Sequence, residues 1–243
     1  MAFYTATSSF SLKSKILVYP VVSTANLPQL AVDLVISTLE LRRVGFLDDS
    51  LLTPAVGTRE NGDDGITTPL EVWGKEGIDI VLIQQRSPVL KYHKEKFGEQ
   101  FVRWVVDSAF SALVLLAGVE LTNRTDAQMS TATYHLVANP GRGIELPRGL
   151  DLSGIPSFVP NDEPIRMPGT GLTRRILQDP SLAKVPTVAV LRFVMEGDNR
   201  EDAHDFASTV AHIAGVKIPR TGWREPQSWV GLFGRDFEQT IYG

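Results

Sequence analysis

Ile241, Tyr242 and Gly243 close this 243-residue chain with three different chemical handles. Ile241 offers apolar area, Tyr242 a flat ring tipped by a hydroxyl, and Gly243 a terminal carboxylate that no side chain shields. Pockets that capture a C-terminal carboxylate recur in protein recognition, so the chemistry on offer is binding rather than turnover. The residues ahead of the plug are arranged to present it. Residues 218–234 are rich in Pro and Gly, which argues against one long helix, and they carry Trp223, Trp229, Leu232 and Phe233. Rings of this size anchor irregular segments to a body, so Trp223, Trp229 and Phe233 are expected to fasten the segment to its own core. A polar stretch, Arg235 to Thr240, separates that anchor from the plug. Ten extended residues reach at most about 35 Å, enough to enter a neighbouring protein. A frayed end without a role is the competing reading.

Other chemistry is thinly represented. The four histidines, His93, His135, His204 and His212, form no metal-binding helical pair and read as surface or capping residues. There is no cysteine, hence no disulfide, thiolate metal site or cysteine nucleophile. Neither a G-x-S-x-G elbow nor a P-loop is present. Pro168-Gly169-Thr170-Gly171-Leu172-Thr173 is the one loop that resembles an anion cradle, although a tight turn explains it equally. Glu196-Gly197-Asp198-Asn199 reads either as an acidic site at a strand's end or as a turn that starts a helix. No catalytic residues, metal or cofactor are expected.

With 21% charged residues, a net charge of −4 and a pI of about 5.6, the chain lacks the clustered Lys and Arg of a nucleic-acid binder. The longest apolar stretch, Ala112 to Val119, is too short to span a bilayer. The first residues show no secretion signal. The expectation is a soluble protein of the cytoplasm and nucleus, with neither nucleic acid nor membrane as partner.

The elements that would position the tail alternate between strand and helix. Strands are expected at Ile16–Tyr19, Leu51–Val56, Leu70–Trp73, Ile78–Gln84, Ala112–Ala117 and Thr187–Val194. Helices are expected from Leu27 to Leu41 with Asn26 or Thr24 as cap, from Glu95 to Phe110, and from just after Asp198-Asn199 to a stop at Gly215. The first helix is apolar almost all round, with only Gln29, Asp33, Ser37 and Glu40 on a polar stripe. Such a helix is buried on more than one side, either within its own domain or beneath a partner. Residues 139–168, dense in Pro and Gly, read as a long loop. The pattern predicts an α/β fold: one central, mostly parallel sheet with helices on both faces.

Several stretches in order resemble the eukaryotic proteasome assembly chaperone 2 family. They are Tyr19-Pro20, Asn26 to Leu34, Ile36 to Leu39, Gln85-Arg86-Ser87 with Lys91-Tyr92, Pro168 to Gly171, Phe193 to Asn199, and Trp223-Arg224 through Gly234. The resemblance covers nearly the whole chain. It implies a single domain over residues 1–234, phosphorylase/hydrolase-like in fold but without catalytic function, followed by a tail over 235–243. It implies an obligate heterodimer with proteasome assembly chaperone 1 that binds the nascent ring of proteasome α subunits, favours its correct assembly and blocks premature activator docking. It also implies that Ile241-Tyr242-Gly243 acts as a hydrophobic-Tyr-X motif entering a pocket between α subunits. The alternative is a phosphorylase- or hydrolase-like enzyme with the Gly169–Gly171 loop as its anion site.

Overall fold

The computed structural model describes residues 2–60, 65–138, 146–147, 149–158 and 170–231. An eight-stranded sheet runs through it. In chain order its strands are β1 (Tyr4–Ala6), β2 (Ile16–Pro20), β3 (Arg42–Leu47), β6 (Leu70–Gly74), β7 (Ile80–Gln85), β8 (Ala112–Glu120), β9 (Thr133–Val137) and β10 (Thr187–Val194), while β4 (Gly57–Thr58) and β5 (Ile66–Thr67) form a separate hairpin. The spatial order is β1-β3-β6-β7-β2-β8-β10-β9. Its four central strands, β7, β2, β8 and β10, are parallel, and antiparallel strands flank them on both sides. Central parallel strands are buried on both faces and read as unbroken apolar runs, as in Ile16-Leu17-Val18-Tyr19 and Leu113 to Ala117.

Alternation along those strands divides the core in two. Leu17, Tyr19, Val81, Ile83 and Leu115 point to the face covered by α2 (Lys94–Asp107) and α3 (Gly171–Leu177). Ile16, Val18, Leu82, Val114 and Val190 point to the face covered by α1 (Leu27–Leu39) and α4 (Arg200–Ile213), which pack side by side. The expected α/β sheet with helices on both faces is therefore present.

Several local expectations need correction. Leu51–Val56 is not a strand: Leu52 makes one bridge to Val89 and the rest is irregular, because Pro54 removes a ladder donor. The strand in this region is β3, which starts three residues after α1 ends. α1 stops at Leu39 rather than Leu41, where Glu40 turns left-handed at φ 52°. Its N-cap is Asn26, also left-handed, and makes no side-chain cap bond. α2 ends at Asp107, and Ala109 at φ 54° turns the chain so that Phe110 packs on Trp104. Of the long loop expected over 139–168, residues 146–147 and 149–158 are among those described, with Leu150 and Phe158 buried.

Candidate functional site

The segment 219–231 crosses the outside of α1 and α4 as a strap. It begins beside the carboxyl end of α1, where Pro219, Thr221, Gly222 and Arg224 line an open cavity of about 460 Å³ with Thr38, Glu40 and Lys75. Arg224 then ties the strap to α1. Its backbone N–H donates to Thr38 Oγ1 (2.9 Å), and its guanidinium reaches Ser37 Oγ (3.2 Å) and Glu40 (3.3 Å). Trp223 is half-buried and donates from Nε1 to Ser208 Oγ on α4 (3.1 Å). Farther along, Glu225 meets His204 at 2.9 Å, and Trp229 is only 3% exposed, its ring edge-on to His204. Phe233, Ile241, Tyr242 and Gly243 lie outside the described residues. The strap's own residues cover the carboxyl end of α1, part of the outer face for which the sequence left a partner as one possibility.

The strap ends near a buried polar cluster that sequence reasoning did not single out. The polar stripe on α1 is not solvated. Gln29 and Asp33 are both buried, and Gln29 Nε2 donates to the Pro20 carbonyl at 2.8 Å. The Asp33 carboxylate takes a bidentate pair from Arg86, both bonds 2.7 Å, together with a bond from the Gln84 amide. Burial pushes the Asp33 carboxyl above its usual range, while Arg86 and Gln84 pull against that rise. Burial also works against the Arg86 charge, but the Asp33 carboxylate overcomes it and raises the guanidinium's pKa. A fork-to-fork pair of this kind fixes geometry as well as charge. Glu60, on the β4–β5 hairpin, adds negative charge near Arg86 and accepts the Ser228 N–H of the strap at 3.2 Å. The chain of contacts thus runs from β7 through α1 and the hairpin to the strap. The sequence signal was there: Asp33 within an apolar helix, and Arg86 directly after an apolar strand.

In open α/β sheets ligands bind outside the carboxyl ends of the parallel strands. Here that crevice is occupied by the chain itself. Residues 24–26 make a 3-10 turn in which Ala25 is left-handed at φ 61°. The Ala25 N–H donates to Glu196 Oε1 at 2.8 Å, and the Gly118 N–H donates to Ser23 Oγ at 2.8 Å. A Cβ on Gly118 would come within 2.5 Å of the Thr24 carbonyl oxygen, so only glycine lets the turn sit this close to β8. Glu196 thus ties the turn to the segment that follows β10. Asp198 and Asn199 behave as turn residues: Asp198 accepts from the Arg200 N–H, and Asn199 donates to the Gly197 carbonyl. Of the suspected Gly169–Gly171 cradle, Gly169 lies outside the described residues and Gly171 opens the seven-residue α3.

Comparison with known proteins places this geometry. Proteasome assembly chaperone 2 of Xenopus tropicalis is 29% identical, covering 93% of this chain and 94% of its own. The human protein of the same name is 26% identical over the same shares. Among solved structures, Pyrococcus furiosus PbaA, an archaeal homolog of proteasome-assembly chaperone, superposes with a TM-score of 0.67 at 14% identity, covering 89% of this chain and 88% of its own. PbaB of the same organism, described as an archaeal proteasome activator, gives 0.63 at 15% identity, covering 91% and 93%. Identities this low establish a shared fold. The sequence model of the PAC2 family matches residues 17–219, from β2 through α4 to the start of the strap, and on that match the chain belongs to the PAC2 family.

Proposed function

We propose that this protein is a proteasome assembly chaperone that acts without catalysis. In this reading it pairs with proteasome assembly chaperone 1, and the heterodimer holds the nascent α ring, favours its correct closure and keeps activators away. The observation that carries the reading is the end-to-end similarity to proteins named proteasome assembly chaperone 2, which spans 93% of this chain. The closed crevice supports the non-catalytic part. The turn over Ser23–Asn26 and the Glu196 carboxylate fill the place where a phosphorylase- or hydrolase-like enzyme would hold its substrate.

In the same reading Ile241, Tyr242 and Gly243 are the plug that enters a pocket between α subunits. Burying the Ile241 side chain and the Tyr242 ring contributes roughly 1.5–3 kcal/mol each before ordering costs. The Gly243 carboxylate pairs with a pocket lysine in a partly desolvated setting, where charge-assisted bonds are strongest. One such tail binds weakly. Joined to body contacts and to the partner's tail, it gains effective concentration.

Purification of the native complex from its own cells, with identification of the co-purifying subunits, tests the reading. The expected set is a second assembly chaperone and α subunits, with precursor particles in excess over mature ones. Enrichment of mature particles instead would favour an adaptor role, and absence of proteasome subunits would end the proposal.

A further inference from the structure

The exposed apolar side chains of this protein are not scattered. The carboxyl ends of β7, β2, β8 and β10 lie along one edge of the sheet, since these strands are parallel. β3 ends there too, because it is antiparallel to β6, which is antiparallel to β7. Val56 lies beyond the end of β3, Leu90 and Tyr92 beyond β7, Met129 between β8 and β9, and Met195 directly after β10. Tyr92 is 91% exposed and Val56 72%. The two other large exposed apolar residues, Ile66 and Val230, sit on the hairpin and at the strap's end, which meet through Glu60 and Ser228 beside Arg86 at this same edge. Among the described residues, the connections at the opposite edge, 8–15, 75–79, 108–111, 178–186 and 214–222, expose no large apolar side chain.

Single exposed apolar residues need no explanation, but their segregation to one end of a molecule marks an interaction surface. The crevice between them is closed by the chain's own turn, so the edge offers a broad face rather than a small-molecule pocket. The path of the chain identifies its occupant. The strap delivers Val230 and Gly231 to this end, and the twelve residues from 232 to 243 reach at most about 40 Å beyond it. A body that receives Ile241–Gly243 therefore stands within about 40 Å of the strap's end at this edge.

We infer that the carboxyl edge of the sheet, with Val56, Leu90, Tyr92, Met129 and Met195, is the face laid against the α ring when the tail is engaged. This rests on the assembly-chaperone reading. Apolar contacts from the edge then supply the body part of the affinity, and the tail supplies the rest. Because the exposed side chains are rooted in four different connections, the face matches a broad protein surface.

The test uses the full chain in complex with proteasome assembly chaperone 1 and purified α rings. Val56→Asp/Tyr92→Glu and Met195→Glu replace exposed side chains and leave the core untouched. Each is expected to weaken α-ring binding at least tenfold, with the melting temperature and the heterodimer unchanged by light scattering. Ser11→Glu, on the opposite edge and outside the strap, is expected to change binding less than twofold. If both edge variants bind like the parent while deletion of 241–243 weakens binding, the edge is not the docking face and the inference falls. If the edge variants instead dissociate the heterodimer, the edge belongs to the partner chaperone and the inference falls as well. Failure of the unsubstituted complex to bind α rings at all is a separate readout, and it would overturn the functional reading along with this one.

Discussion

On one face of the sheet, α2 is sealed by aromatic rings: Tyr19 lies 4.7 Å from Phe101, Trp104 lies 5.3 Å from Phe110, and Phe3 and Tyr4 close over Phe97 and Trp104. On the other, α1 and α4 are sealed by the strap, whose Arg224 bonds to Thr38 across 186 positions of sequence. The aromatic face is closed by apolar burial, which is non-directional and tolerant of small shifts. The other face has its own apolar core, but the strap is held to it by a few directional bonds and one buried tryptophan, beside an ion pair whose arginine is partly exposed. It is also the face that leads to the tail.

The largest expected effect lies on the aromatic face. Phe101→Ala removes a fully buried ring and is expected to lower global stability by about 3–5 kcal/mol in a urea titration. A loss below about 1 kcal/mol would break the claim that this layer carries the fold. Next comes the ion pair. Asp33→Ala strands the Arg86 guanidinium, whose side chain is 34% exposed, so the cost is expected near 2–3 kcal/mol rather than the about 3–5 kcal/mol of a fully buried pair. Asp33→Leu combined with Arg86→Met should recover most of it.

Trp229→Ala sharpens the comparison further. The strap can detach as a local unit, so global stability should fall by less than the about 3–5 kcal/mol of a central aromatic. Proteolysis within 219–231 should rise at the same time. If the whole domain unfolds with it, strap and core are one cooperative unit. The smallest effect is expected for Arg224→Ala. Its partners are exposed, and pairs of that kind contribute about 1 kcal/mol or less by double-mutant cycle.

Sequence reasoning reached the central strands and three of the four helices because their apolar runs and spacing are long and regular. It missed β3, whose Arg42-Arg43-Val44-Gly45-Phe46-Leu47 breaks strict alternation at a bulge between Arg43 and Gly45. It missed β9 as well. The position of β9 at the sheet's edge, with His135 bonded to the Pro156 and Ile155 carbonyls, depends on a distant segment. The strap was legible only as a set of large rings, since what they touch, Ser208, His204 and Thr38, is far away along the chain. The sequence places Asp33 on the polar stripe of α1 but does not reveal its partner, because periodicity reports which face a residue occupies and not whether a strand end opposite carries an arginine.

The central claim is that the tail binds while the strapped domain folds without it. The most direct test compares three forms in complex with proteasome assembly chaperone 1: the full chain, deletion of Ile241–Gly243, and extension by one residue after Gly243. Affinity for purified α rings and the melting temperature are measured for each. The expected result is an unchanged melting temperature with binding weakened about equally by deletion and by extension, since both remove the carboxylate from its place. Equal binding by all three forms would contradict the claim and leave recognition of the ring to the body of the domain alone.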